Sequence, residues 1–174
     1  MSELNVLQHV VQILKGLGLE PTVCEKSPDV PFDVALVSLG MDEKERPIVL
    51  QVIHAEQSVV QATPQELQGD SSIDSDCHLL SFIVAVPVEI PAETVPEVLR
   101  LLDLANKSLP LGSFNLSEIE KSVYYSYGYP VFSTLPCEMT ILMIINTILF
   151  AKETFFPTIE SVANSRETVE TLIQ

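Results

Sequence analysis

The sequence predicts an α+β fold: a two-layer α/β sandwich with an antiparallel sheet of about five strands and helices on one face, in the order α-β-β-β-α-β-β-α. Three observations carry this. Helical spacing of apolar residues (3.6 period) brackets several short runs with period two or with β-branched composition. Short charged or polar turns join those runs, which favours antiparallel pairing over βαβ crossovers. And 47% apolar content in 174 residues supplies a core for one domain, expected over residues 1–174.

The first helix is capped by Ser2 and carries Leu4, Leu7, Val10, Val11, Leu14 and Leu17 on one side, until Gly16 and Gly18 weaken and end it. After Pro21, Thr22–Cys24, Phe32–Leu39 and Ile48–Ile53 are alternating or β-branched, and the charged turn from Gly40 to Pro47 separates the last two. They read as an antiparallel meander. The stretch from 57 to 76 is mostly small and polar, which suits a long exposed, mobile loop. His78 to Ile90 is apolar on both faces over its first half, so it belongs in the middle of the sheet, with Pro87 marking a bulge or its exit.

Thr94-Val-Pro-Glu97 fits a capping box. It opens a second helix with Val98, Leu101, Leu102 and Ala105 on one face. Leu109-Pro-Leu-Gly112 stops that helix, and Ser113–Leu116 and Val123–Val131 form a second hairpin around SEIEKS. Thr134 and Pro136 start a long third helix running through Phe155 or beyond, and Arg166–Ile173 adds a short terminal one.

Charge narrows the partners. Nine Lys and Arg against 24 Asp and Glu leave −15, which repels phosphate backbones and anionic head groups, so neither nucleic acid nor a membrane surface is expected. No Lys or Arg occurs from Pro47 to Leu99, where eight acids lie, so a negative face is expected there. Cys24, Cys77 and Cys137 form no zinc pattern and are read as reduced thiols. With no basic and apolar leader at the start, the expected location is cytoplasmic. The thirteen-residue run Met139–Ala151 falls short of the roughly 20 residues of a spanning helix and reads as a buried one.

Chemistry is sparse. No phosphate-cradling glycine loop, nucleophile elbow or HExxH occurs, and the chain reads as a non-enzyme without a cofactor. His9 lies among valines and reads as a structural histidine. Asp70, Asp74, Asp76 and His78 are the most metal-like cluster, because Asp74, Asp76 and His78 share one side of an extended segment; His54 is a possible neighbour. A metal-binding enzyme or sensor using them is the alternative reading.

Two apolar features point to protein binding. Val123, Tyr125, Tyr127 and Tyr129 alternate onto one strand face, opposite Tyr124, and tyrosines recur at interfaces. The third helix is apolar almost all round, with Met139, Met143 and Phe150 among its residues. Such a helix needs cover from a second side: another helix, a second subunit or a bound peptide.

The stretch LRLLDLANKSLPLGSFNLSEIEKSVYYSYGYPV, from Leu99 to Val131, resembles the YbjN-like family, whose domain has the fold of type III secretion chaperones. The apolar third helix and Phe156-Pro-Thr-Ile-Glu-Ser-Val-Ala163 follow in that family's order. The resemblance implies a small acidic α/β sandwich, commonly a homodimer, that binds a protein or peptide client without a cofactor. It supplies no catalytic residues.

Overall fold

The computed structural model describes residues 6–27, 32–55, 78–131 and 134–173. It contains α1 (Val6–Gly16), β1 (Thr22–Cys24), β2 (Asp33–Met41), β3 (Pro47–Ala55), β4 (His78–Glu89), α2 (Val95–Ser108), β5 (Ser113–Ser117), β6 (Ser122–Val131), α3 (Glu138–Ala163) and α4 (Val169–Ile173). The architecture is α+β. One antiparallel sheet holds six strands in the order β1-β2-β3-β4-β6-β5, so the Thr22–Cys24 run, counted as the edge strand β1, makes six rather than about five, and the short terminal helix α4 stands beyond the α-β-β-β-α-β-β-α order. β6 enters between β4 and β5, pairing with both. β4 is accordingly central, as its two apolar faces require.

One face of this sheet is the core. Ala35 and Val37 of β2, Leu50 and Val52 of β3, Leu80, Phe82 and Val84 of β4, Val123 and Tyr125 of β6 and Phe114 of β5 are all buried. Their registers place them in continuous rows, such as Val37, Leu50, Val84, Tyr125 and Phe114. Period-two alternation turns those side chains to one side, and the helices cover it. α1 packs over β2 and β3 through Val6, Leu7, Val10, Val11 and Leu14. α3 lies over β4 between α1 and α2, and α2 reaches β5.

The predicted stripe of α2, Val98, Leu101, Leu102 and Ala105, is the buried one. Its cap is not the expected one. Thr94 is the N-cap residue but makes no capping bond; its hydroxyl donates to Pro91 O at 3.0 Å. Glu97, freed from the box, accepts Val169 N–H at 3.2 Å and so tethers the start of α4. Ser2 and Leu4 of the expected first helix, and the 57–76 loop, lie outside the described residues.

Local chemistry explains the joints. Pro87 falls where the β4–β6 register shifts between Ala85 and Glu89, the bulge that a residue without an N–H invites. Gly112 has φ +67, and a Cβ there would lie 2.7 Å from Ser126 O and 2.5 Å from Cζ of Tyr125. Only glycine fits this turn, because the tyrosine ring sits directly on its backbone. β5 is a sheet edge, yet Asn106 of α2 covers it. Its Oδ1 accepts Phe114 N–H at 2.7 Å, and its Nδ2 donates to Phe114 O at 3.0 Å. The pair of backbone groups that would template another strand is thereby occupied.

Candidate functional site: the outer stripe of the third helix

The tyrosine strand does not form the surface expected of it. Val123, Tyr125, Tyr127 and Tyr129 do share one face, but that face lies under the helices, opposite Val84, Phe82 and Leu80 for the three tyrosines. Val123 and Tyr125 are core residues, and Tyr127 and Tyr129 are half-buried against the core. Tyr125 donates its hydroxyl to Leu111 O at 2.7 Å and stacks edge-on to Phe114, with centroids 5.6 Å apart. Burial pushes its hydroxyl pKa up to about 12. Cross-strand packing accounts for Val123 and Tyr125, which take no part in an exposed surface.

The third helix keeps the surface. Over 26 residues it buries Ile141, Ile144, Ile145, Ile148, Ala151, Phe156 and Ile159 against the sheet and its two flanking helices. It is long and apolar enough by composition to cross a membrane, but this one stripe is committed to the core. The cover required for its remaining sides comes in part from α1 and α2. Opposite the core stripe, at spacings of four, three and four, stand Met139, Met143, Asn146 and Phe150, with Met139 70%, Met143 53% and Phe150 48% exposed. Together with half-buried Leu142, and with Pro110 from the α2–β5 turn, they line a shallow, mostly apolar groove.

Polar contacts accompany the outer stripe at both ends of the helix. Buried Thr147 returns its hydroxyl to Met143 O at 2.9 Å, and His9 of α1 makes a 2.9 Å contact through Nε2 to Pro136 O, fixing the approach to α3. At the other end, Arg46 on the β2–β3 turn holds Glu160 at 2.7 Å and Asp42 at 2.6 Å, and its Nη1 also donates to Pro87 O. Lys44 adds a second contact to Glu160. The hydrogen bonds from Arg46, and then that from Lys44, hold the Glu160 carboxyl below its ordinary range against the opposing effect of burial. This network ties the hairpin to α3 through residues that sequence spacing gave no reason to join.

Of the metal-like cluster, Asp70, Asp74 and Asp76 lie outside the described residues. His78 begins β4 and comes beside His54 of β3, with Nε2 of His54 3.2 Å from Nδ1 of His78 and ring centroids 5.0 Å apart. Among the described residues no group of three or more His, Cys, Asp or Glu side chains is placed to hold a metal ion.

The expected negative face falls largely outside the described residues. Of the eight acids between Pro47 and Leu99, only Glu89, Glu93 and Glu97 are among the described residues; β3 carries none, and β4 only at its last position. No protein-family model matches the chain, and no curated protein shows significant similarity to it.

Proposed function

We propose that the chain is a non-catalytic protein-binding module of the chaperone-like kind that the Leu99–Val131 resemblance implies. In this reading it works in the cytoplasm as a homodimer and holds an apolar segment of a protein or peptide client on the outer stripe of α3. The observation that carries the reading is the exposure of Met139, Met143 and Phe150 on the middle helix of the helical layer. Two methionines and a phenylalanine on one helix face, beside a groove, are the composition of an adaptable helix-docking surface. A chain at −15 stays dispersed while presenting it. The same charge disfavours nucleic acid and anionic membranes as partners.

The reading is tested by light scattering of a chemically denatured model client diluted with and without the protein. Wild type is expected to suppress the client's aggregation near stoichiometric ratios. A Met139→Glu, Met143→Glu double variant with unchanged circular dichroism is expected to lose most of that suppression. Equal suppression by the variant would remove the stripe from the account, and none by wild type would remove the chaperone-like reading itself.

A further inference from the structure

The sheet has a second face, and its middle is uncharged. Cys24, Val34, Ile53, Ser81 and Gly128 form one row across five strands; Thr22, Leu36, Gln51, Ile83, Ser126 and Ser113 form the next across all six. Ser38, Val49, Leu79, Ala85, Tyr124, Asn115 and Pro130 extend it, and Ser117, Ser122 and Glu89 stand at its end beyond the β4–β6 bulge. Apart from Glu89 at that end, none carries a charge in a protein with 24 acids. Among the described residues no helix packs on this side, since the strand residues under α1, α2 and α3 are those of the opposite parity. An antiparallel sheet with one solvated face ordinarily alternates to polar and charged residues there. Here the alternation runs from apolar to apolar or small polar instead.

We infer that this helix-free face is the homodimer interface, with a second copy of the chain stacked sheet on sheet. The inference rests on the homodimer proposed above and assigns its contact. Two arguments select a second copy as the occupant. The first is electrostatic: bodies each carrying −15 repel unless they meet where charge is absent, and interface centres are depleted of charge for that reason. A partner recruited by opposite charge finds nothing to read on this face, whereas a two-fold contact needs only a self-complementary patch, which an uncharged mixture of Val, Leu, Ile, Ser and Gln provides. The second is area. Six strands spaced about 4.8 Å apart and about seven residues at ~3.3 Å each give roughly 29 by 23 Å, or about 670 Å² per copy and about 1,300 Å² for the pair. Stable specific interfaces bury about 1,200–2,000 Å².

The experiment is sedimentation equilibrium over a concentration series. Wild type is expected at twice 19.2 kDa into the low micromolar range. Ser81→Glu, near the centre of the face, puts like charges against each other in both copies and is expected to weaken association at least 100-fold. Val49→Glu, at an exposed position on the same face, does so without touching a half-buried site, which guards against a folding defect. Mixing Ser81→Glu with Ser81→Lys is expected to restore a heterodimer, and Met143→Glu to leave the dimer intact. A wild-type monomer at all concentrations overturns the inference, and the face is then covered by the chain's own remaining residues or by a different protein. A dimer that survives Ser81→Glu and Val49→Glu but is lost in Met143→Glu also overturns it, placing the contact on α3. Client binding is scored separately by aggregation suppression, so a monomer that still suppresses aggregation leaves the binding reading standing while this assignment falls.

Discussion

Gly112→Ala probes the joint on which the second hairpin is hung. Residue 112 sits at φ +67, a left-handed conformation that costs an L-residue roughly 1–2 kcal/mol. The new methyl would also lie 2.5 Å from Cζ of Tyr125 and 2.7 Å from Ser126 O. The carbonyl belongs to the β5–β6 ladder and cannot retreat, and the ring is held by Phe114 on one side and by its own bond to Leu111 O on the other. Accommodating the methyl is an overpacking problem of about 1–3 kcal/mol. The total, about 2–5 kcal/mol, corresponds to a Tm lowered by roughly 4–20 °C for a chain of this size. Thermal unfolding followed by circular dichroism, with Tyr125→Phe and the double variant completing a cycle, checks both parts. Phenylalanine removes the Tyr125 hydroxyl oxygen, the atom nearest the new methyl, so the double variant should lose less than the sum of the singles. A Gly112→Ala protein within about 1 kcal/mol of wild type would refute the reasoning, because neither the strain nor the clash would then be real.

Other consequences are as direct. Glu160→Gln removes the charge that Arg46 and Lys44 hold and should cost about 1–3 kcal/mol at pH 7. Because the folded-state pKa of Glu160 is depressed, its contribution is complete above the ordinary carboxyl value near 4.5 and is lost as pH falls through the folded value. The stability gap between wild type and Glu160→Gln, measured by urea unfolding, should therefore be constant above pH 5 and narrow as pH falls below the ordinary carboxyl value near 4.5; a gap that widens on acidification would contradict the sign. Asn106→Ala strips Phe114 of both backbone partners and should cost about 1–3 kcal/mol, with faster amide exchange at Phe114; unchanged exchange there would mean that the edge strand is guarded by something else.

The sequence was most informative where burial and periodicity agree. The stripe Val98, Leu101, Leu102, Ala105 and the alternation through Val123, Tyr125, Tyr127 and Tyr129 follow from geometry that every helix and strand obeys, and the double-sided apolar run of β4 revealed its central place. What these patterns lack is the direction in which a face points. Tyrosines packed under a helix and tyrosines at an interface have the same spacing, so the strand's role was open until Tyr125 was found against Leu111 and Phe114. The same ambiguity hid the outer stripe of α3: an all-round apolar helix announces that several sides are covered, but which side stays wet depends on where α1 and α2 land. The capping box failed for a different reason, since Thr94 had a carbonyl nearer to hand at Pro91 and Glu97 a partner at Val169. The tie from Arg46 to Glu160 spans 114 positions, and no local rule reaches that far.

Methionine oxidation tests, within one molecule, whether a client lies on the outer stripe of α3. Met139, Met143 and Met41 are 70%, 53% and 63% exposed, so dilute peroxide should convert all three to sulfoxide at comparable rates in the free protein. Met41 ends β2, away from the groove that Met139 and Met143 line, and serves as the internal control. With a denatured model client bound, mass spectrometry of the digest should show oxidation slowed severalfold at Met139 and Met143 and unchanged at Met41. Undiminished oxidation at Met139 and Met143 in a complex shown to have formed, or protection of Met41 alone, would contradict the claim.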